Sequence, residues 1–552
     1  MYSSEPLPHF IDDYLAFLHE VLPTTAAFDG VHTHDDLLED YSRSAIDSLL
    51  RDLGAFGRRL GAINPETLTA SQRLERPVVD AHIRAKVHEF EQLRHWERSP
   101  QIYVETLALS LAAQSLFAYA PPDERARRVL SKLRQAPRLL QQARDNVKEP
   151  AGIFLKNALE TLRGVQSFIR RDLPRAFSAV DDLHLLGDLA DASTEAENAI
   201  GDYMGYLENE VAPRTKGTFR LGKERFEAKL ALEEGLKLDT DALLTIALRE
   251  LNALQDEFKS LAGAKGKDAL AEWKKIKQLH PPAGQLVATA SAQLDELATF
   301  IRKHKLVTIP DGDPPVVGPT PQFYRWTNAS LWTPGPFEAR ALRTYYYLTD
   351  ADPSWPAEKQ DEHLRDFSEA ALWSISMHEV YPGHFLHFQH IRRAESTLRR
   401  SIAFASMSTV EGWAHYSEHL MVEQGFGKKK PAIRLGQLAE ALIRMCRLIV
   451  GIRLHAEDLS VEQGVRIFRD EAYLEEASAR REAERGTFDP GYVVYALGKL
   501  MLLKLRADVQ ARNGDGFSLK AFHDEFLGNG LVPFTLHRAS MLGPDESAKP
   551  IA

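Results

Sequence analysis

The segment SISMHEVYPGH, residues 374–384, carries the most informative pattern in this sequence of 552 residues. Its two histidines, His378 and His384, stand six residues apart. Six residues turn a regular helix by about 240°, so an unbroken helix would point the two imidazoles away from each other. Pro382 cannot donate an N–H and its ring clashes with the carbonyl four residues earlier, while Gly383 adds backbone freedom. The sequence therefore predicts that the helix bulges or breaks here, which could bring both imidazoles to one side.

The spacing is a stretched form of HExxH, a motif in which two histidines bind zinc and the glutamate serves as general base. By this interpretation His378 and His384 are zinc ligands and Glu379 is the base. A third ligand should lie downstream on another helix, and Glu411 is the candidate. It follows His384 by 27 residues, which leaves room for a helix end, a loop and a returning helix.

Two other interpretations of this region stay open. Glu411, His415 and Glu418 share one face of the expected second helix, and acid and imidazole groups can form a structural network that holds no metal. His387 or His390 could also replace the second histidine of the motif as a ligand, although each fits a supporting or surface position as well.

The ligand set predicts a hydrolytic mechanism. Two imidazoles and one carboxylate leave zinc an open position for a water whose pKa it lowers, and Glu379 would carry that water's proton to the leaving group. The oxyanion needs a hydrogen-bond donor, for which Tyr495 is the candidate and Tyr492 its competitor. Arg444 and Arg506 could hold a substrate carboxylate through paired hydrogen bonds.

These motifs resemble the bacterial family called Domain of Unknown Function 885. The stretches that carry the resemblance are HEVYPGH at 378–384, EGWA at 411–414, FRLG at 219–222 and RMCRL at 444–448. The likeness extends over roughly residues 193–506. It implies a helical metallopeptidase similar to the gluzincins, with two lobes around a deep cleft that admits short peptides. The family usually continues as EGWALY, and in this chain a histidine replaces that leucine.

The rest of the sequence predicts a mainly α fold with a few short strands. Apolar residues recur at steps of three and four in the segments 71–97, 153–172 and 239–261. Asp239 or Thr240 could cap the last of these helices. Short extended pieces are expected at 323–326, 329–332 and 342–348. A soft domain boundary near residue 215 would separate an N-terminal helical lobe, 1–215, from a zinc-binding catalytic lobe, 216–552.

Composition narrows the class of protein. The 78 acidic residues exceed the 68 Lys and Arg residues, giving a net charge of −10, so nucleic acid is not an expected partner. The single cysteine, Cys446, excludes disulfides within the chain and a zinc site of several cysteines. The apolar stretch 107–120 contains polar residues and is too short for a membrane span, and the first residues lack the pattern of a signal peptide. We therefore expect a cytoplasmic protein without a membrane partner.

Three functions are compatible with these patterns. The first is a zinc-dependent metallopeptidase that hydrolyses short peptides. The second is a zinc hydrolase of non-peptide amides or esters, and the third is a metal-free helical binding protein that keeps the motif as structure. Metal content separates the third from the other two, and tests with peptides separate the first from the second.

Overall fold

The computed structural model describes residues 5–235, 237, 239–263, 268–321, 324–325 and 327–546. Helices dominate these residues and only short strands interrupt them, which confirms the predicted mainly α class. Of the extended pieces expected from the sequence, the one at 323–326 includes residues 323 and 326, which lie outside the described residues.

Helices are the main secondary structure of residues 5–211, the first part of the described chain. Its helices are α1 (Leu7–Val21), α2 (Pro23–Asp29), α3 (Arg43–Ala62), α4 (Ala70–Val87), α5 (His95–Arg98), α6 (Gln101–Leu116), α7 (Pro122–Asn146), α8 (Gly152–Ala176) and α9 (Leu183–Tyr206). Two π-helical segments, His88–Leu93 and Leu207–Val211, directly follow α4 and α9.

The second part adds more helices and a small sheet. Before and around the sheet lie α10 (Lys223–Glu234), α11 (Thr240–Ala262), α12 (Ala269–Lys277), α13 (Leu286–His304) and α14 (Ala357–Leu364). The remaining helices are α15 (Glu369–Glu379), α16 (His384–Ile391), α17 (Thr397–Arg400), α18 (Met407–Glu423), α19 (Pro431–Ala456), α20 (Val461–Glu471), α21 (Glu476–Phe488), α22 (Val494–Asn513), α23 (Leu519–Gly528) and α24 (Phe534–Leu542).

The predicted helical segments 153–172 and 239–261 are confirmed as parts of α8 and α11, whereas the segment 71–97 divides into α4, a π-helical segment and α5, with a break at the left-handed Arg94. Helices α4 and α11 carry side-chain caps. The Thr69 hydroxyl accepts a hydrogen bond from the Gln72 amide at the start of α4, which satisfies one free N–H of the first turn. Asp239 accepts from the Asp241 amide at the start of α11. This hydrogen bond identifies Asp239, rather than Thr240, as the cap of that helix.

The sheet has the order β1-β3-β2, with β1 at Val316–Pro319, β2 at Ala329–Trp332 and β3 at Tyr345–Leu348. Strand β3 pairs parallel to β1 and antiparallel to β2. Its central Tyr346 is fully buried, and the Tyr346 hydroxyl lies 3.3 Å from the Ser376 hydroxyl on α15. The sheet therefore packs directly against the helix that carries the histidine motif.

Two large hydrophobic clusters form most of the core, and a small third one contains Ile391, Val410 and Leu531. One large cluster consists mainly of residues between Leu7 and Val211, and the other mainly of residues between Leu221 and Met541. The first cluster also includes Phe404 and several other residues from later in the sequence, so the two parts share packing. The predicted domain boundary near residue 215 stays a prediction.

A cavity of about 1250 Å³ is lined by residues from both parts of the sequence. These residues include His82 on α4, Glu105 on α6, Glu379 on α15 and Tyr495 on α22. Among the described residues, no helix is both long enough and apolar enough to cross a membrane. The apolar stretch near residues 107–120 belongs largely to α6, whose residues are mostly buried.

Candidate metal centre

The helix that was predicted to distort breaks at the motif. Helix α15 ends at Glu379 and α16 begins at His384. The Gly383 amide donates to the Met377 carbonyl (3.0 Å), so the intervening turn folds back over the end of α15. A Cβ atom at residue 383 would overlap the carbonyl group of His378, so only glycine fits this position.

The EGWA segment on α18 contacts this turn and helps to hold it in place. The buried indole of Trp413 donates to the Pro382 carbonyl at 2.8 Å, with the Gly383 carbonyl 3.3 Å away. Gly412 contacts Gly498 of α22 so closely that a Cβ atom at residue 412 would lie 2.5 Å from the Gly498 carbonyl carbon. The glycine and tryptophan of the segment thus fix α18 between the turn and α22.

The break brings the three predicted ligands together. The Nε2 atoms of His378 and His384 each lie 3.4 Å from the Oε2 atom of Glu411. The two imidazole rings are nearly perpendicular, at 87°, with centroids 4.8 Å apart. Both histidines are buried, at 5% and 9% exposure. We call these three residues the metal group.

The metal group fits zinc in spacing and in chemistry. Histidine nitrogen and carboxylate oxygen bind zinc at about 2.0–2.2 Å, and in a tetrahedron such atoms lie roughly 3.4 Å apart. The Oε2 atom of Glu411 is buried and has no hydrogen-bond partner. A buried carboxylate oxygen that faces two imidazole nitrogens forms with them a set of groups that binds a divalent cation such as zinc. The residues would therefore hold zinc through His378, His384 and Glu411.

The electrostatics of the group follow from burial and from its two carboxylates. Burial and the nearby Arg444 would lower the pKa of His378, but Glu411 and Glu418 raise that pKa to about 9. Burial alone would raise the pKa of Glu411, yet the charges of His384 and His378 hold it well below its usual range. Glu411 is therefore ionised at neutral pH and provides a negative charge for a bound cation.

Glu418 orients His378 through Nδ1, the ring nitrogen that does not face Glu411. The Nδ1 atom of His378 lies 2.8 Å from Glu418 Oε1, and because a carboxylate only accepts, the imidazole donates this hydrogen bond. Glu418 is fully buried and also accepts from the Ser374 hydroxyl at 2.9 Å. The contact leaves Nε2 of His378 free to face Glu411, an arrangement common behind metal-binding histidines. The sequence placed Glu418 on the face of Glu411, where one interpretation made it part of a structural network, but did not predict its contact with His378.

Neither alternative histidine joins the metal group. The Nε2 atom of His390 lies 2.8 Å from the Thr308 carbonyl, to which it donates. His387 is fully buried, and its ring lies against Trp413 with centroids 6.2 Å apart. Among the described residues, the buried group whose ligand atoms converge is formed by His378, His384 and Glu411.

Residues 23–541 match a family described as bacterial protein of unknown function, DUF885. The chain belongs to this family. No curated protein matches the chain at a significant level.

Two solved structures resemble the DUF885 chain. One is a candidate lipoprotein of unknown function from Shewanella oneidensis, with 24% identity and a TM-score of 0.80 over 98% of this chain and 100% of that chain. The other is a candidate lipoprotein from Colwellia psychrerythraea, with 18% identity and a TM-score of 0.80 over 96% of this chain and 97% of that chain. At these identities the likeness establishes a shared fold.

Glu379 lies beside the metal group at the end of α15. It is 9% exposed and lines the cavity, and among the described residues no donor hydrogen-bonds its carboxylate. Burial raises the pKa of Glu379, and the nearby charges of His384 and His378 oppose this rise. A buried carboxylate with a raised pKa and no bonded donor is suited to accept a proton.

The two candidate tyrosines occupy different environments. Tyr495 is in the first turn of α22, where its ring stacks at 6.3 Å from the His378 ring. Its hydroxyl accepts a hydrogen bond from Arg485 at 3.2 Å, and burial raises its pKa. The ring of Tyr492 packs against Gly486 and is 1% exposed, and its hydroxyl has no hydrogen-bond partner. The structure thus brings Tyr495 to the metal group and leaves the Tyr492 hydroxyl in the core.

The two predicted substrate-binding arginines are paired with carboxylates. Arg444 lines the cavity, but its guanidinium contacts Glu418 at 3.2 Å and Glu440 at 2.6 Å. Arg506 makes two hydrogen bonds to Glu423, at 2.7 and 3.1 Å, and is not among the residues that line the cavity. The structure therefore does not bring Arg506 to the site. The substrate-binding role of Arg444 stays a prediction.

The turn itself can be tested without changing a ligand. Replacing both Pro382 and Gly383 with alanine should lower zinc affinity by about tenfold or more, because supporting contacts of metal ligands are typically worth 10–100-fold. The added Cβ atom at residue 383 would overlap the His378 carbonyl and displace the His384 imidazole from the Glu411 carboxylate. Zinc affinity is measured by competition with a chromophoric chelator.

The matched control for this double variant is Gly187→Ala on α9, where a Cβ atom meets nothing within 4 Å. Circular dichroism of both variants checks that the helices remain. Unchanged zinc affinity in the double variant would show that the break between the two helices is imposed by other contacts, such as the hydrogen bond from Trp413.

Proposed function

We propose that this chain is a zinc-dependent metallopeptidase that hydrolyses short peptides. The single observation that carries the proposal is the unpaired Glu411 oxygen, which faces His378 and His384 at 3.4 Å beside a free carboxylate on Glu379. The cavity of about 1250 Å³ around these residues is large enough for several residues of an extended peptide. A gluzincin-like, two-lobed cleft is part of this proposal.

The chemistry divides between the metal and the side chains. When bound, zinc would supply a positive charge that acidifies a coordinated water and polarises the scissile carbonyl. Glu379 accepts the proton of the attacking water and passes it to the leaving amine. The hydroxyl of Tyr495 donates a hydrogen bond to the oxygen that gains charge as the carbonyl is attacked. Arg485 holds this hydroxyl in place through the hydrogen bond it donates.

Two measurements test the proposal. Elemental analysis of the purified protein should find one zinc per chain, and mass spectrometry should detect cleavage of a mixed library of short peptides. If the protein contains one zinc per chain but cleaves only esters or non-peptide amides, the result would favour a zinc hydrolase of non-peptide substrates. A protein that binds no zinc after incubation with the metal would be the metal-free binding protein. A cytoplasmic location without membrane or nucleic-acid partners stays a prediction.

Removing the Tyr495 hydroxyl should slow the reaction without removing zinc. Loss of one donor to a developing oxyanion costs about 10²–10³ in kcat, so Tyr495→Phe should lower kcat by that factor and leave zinc content unchanged. The matched control is Tyr492→Phe, whose hydroxyl is buried without a partner, and it should keep its kcat within about twofold. The opposite pattern, a slow Tyr492→Phe with a normal Tyr495→Phe, would assign the donor to Tyr492.

A further inference from the structure

One large apolar side chain of the cavity wall is open to solvent. Met407, the first residue of α18, lines the cavity and is 49% exposed, although its sequence neighbours Ser406 and Ser408 are buried. Among the exposed large hydrophobic side chains of the described residues, Met407 is the one that lines the cavity. An exposed apolar side chain inside a cavity is typical of a wall that binds a ligand.

Met407 lies one helical turn from the metal group, and so does Phe388. Met407 precedes Glu411 by four residues on α18, and Phe388 follows His384 by four residues on α16. Side chains four residues apart are neighbours on a helix, with Cβ atoms about 5–6 Å from each other. Because His384 Nε2 lies 3.4 Å from Glu411 Oε2, the metal group lies where these two helix faces meet.

The contacts between the two helices place Phe388 and Met407 on the same side of the metal group. The indole of Trp413, late in α18, contacts the turn just before α16. Ile391, the last residue of α16, shares the small hydrophobic cluster with Val410, early in α18, and Phe388 packs against this cluster. The end of α16 therefore lies beside the beginning of α18, where Met407 is located.

Four residues of this part of the wall form one apolar surface. Val410 is buried in the small cluster, and the half-buried Phe388 and Ala405 pack against that cluster. Met407 lies between Ala405 and Val410 in the sequence, and all four residues line the cavity. None of their side chains carries a charge. We call Phe388, Ala405, Met407 and Val410 the apolar subsite.

The backbone beside Met407 is held in place, and its surroundings disfavour charge. The Ser406 amide donates to the Leu531 carbonyl at 2.7 Å, and the Ser406 hydroxyl donates to the Glu234 carboxylate at 3.0 Å. Glu234 is 1% exposed, and burial raises its pKa to about 7. A charged substrate group would lose its hydration here without gaining a partner of opposite charge within the apolar subsite.

We propose that the apolar subsite binds a large apolar side chain of the substrate, such as that of Leu, Met or Phe, at one of the two residues that flank the scissile bond. This inference rests on the proposed peptidase function and names its substrate class. An extended peptide advances about 3.4 Å per residue, so a peptide whose carbonyl lies at the metal group presents a neighbouring side chain to Met407. The flexible side chain of Met407 can adapt to apolar groups of different shape.

Equilibrium binding tests the inference without hydrolysis. Zinc-loaded Glu379→Gln protein, which should not cleave peptides, is titrated calorimetrically with short alanine peptides blocked at both ends. Each peptide carries Leu, Phe, Asn or Lys at one position in turn, and mass spectrometry of the same peptides after incubation with the wild-type protein locates the cleaved bond. We expect Leu or Phe beside that bond to raise affinity about tenfold over Ala, Asn and Lys, because a large apolar side chain leaves water.

Variants at Met407 identify the role of the subsite. Met407→Asn should remove most of the tenfold preference because it interrupts the apolar surface, whereas the conservative Met407→Leu should keep it. Met407 is exposed at the start of its helix, so neither exchange alters the core. The matched control is Leu183→Asn, at the 80% exposed first residue of α9 outside the cavity, which should keep the full preference. The zinc content of each variant is checked before titration.

The inference fails if Ala, Leu and Phe peptides bind equally, if Asn or Lys peptides bind most tightly, or if Met407→Asn keeps the preference. These outcomes differ from failure of the proposed function. A wild-type protein that cleaves peptides without regard to their apolar side chains would overturn only the inference. A protein that binds apolar peptides through Met407, yet cleaves none when loaded with zinc, would overturn only the peptidase assignment.

Discussion

Replacing His378, His384 or Glu411 with alanine is expected to remove nearly all bound zinc, with affinity falling by more than about 100-fold. Loss of a supporting contact behind a ligand already costs 10–100-fold, and loss of a ligand itself costs more. The three ligand atoms converge on one point, with Nε2–Oε2 distances of 3.4 Å from each histidine to the carboxylate. Two remaining ligands cannot hold zinc as firmly as three.

Elemental analysis and chelator competition measure this loss. The control is His390→Ala on the same helix as His384, because the His390 imidazole bonds a backbone carbonyl outside the metal group. It should retain one zinc per chain. His387→Ala is the decisive comparison, since a variant at His387 that loses zinc, beside a variant at His384 that keeps it, would make our ligand assignment wrong.

The sequence predicted those parts of the site that depend on local chain chemistry. A Pro-Gly pair disfavours a continuous helix in any protein, so the break between α15 and α16 at Pro382 and Gly383 could be predicted from the sequence alone. The cap at Asp239 could be predicted for the same reason, because the hydrogen bond that its carboxylate accepts comes from the Asp241 amide, only two residues away. In both cases the groups that determine the geometry are within a few residues of each other.

The parts that sequence could not supply depend on contacts between distant segments. The role of Glu418 exists only because α18 packs against α15 and brings Glu418 to His378, 40 residues earlier. No strand was predicted at β1, because the Pro and Gly residues around it disfavour strands, but β1 pairs with β3 about 30 residues later. Such pairings leave no local signal.

The tyrosines and arginines illustrate a second limit, which is that residue type does not fix environment. Tyr492 and Tyr495 are three residues apart, yet of the two only Tyr495 stacks its ring near the His378 ring, because Gly451 and Gly486 admit the ring of Tyr492 into the core. Arg506 was a reasonable carboxylate binder by type, but Glu423 holds its guanidinium elsewhere.

The glutamate beside the metal group separates binding from catalysis. We expect Glu379→Gln to retain zinc and to lose hydrolysis, with kcat lowered by about 10²–10⁴, the usual contribution of a general base. Glutamine has nearly the same shape, and no described donor bonds the Glu379 carboxylate, so the exchange should leave His378 and His384 in place. The loss should appear in kcat, because substrate would still contact the cavity walls.

Zinc content and peptide binding are measured on the same preparation, which makes the result interpretable. A variant that lost its zinc would show that Glu379 is a ligand or a structural partner of the metal group. A variant with zinc and full activity would place the base elsewhere. Glu418 and His415 would then be tested, although they are at most 1% exposed and lie behind His378, with Glu418 hydrogen-bonded to it. Their burial leaves Glu379 as the carboxylate that both faces the cavity and adjoins the metal group without being one of its ligands.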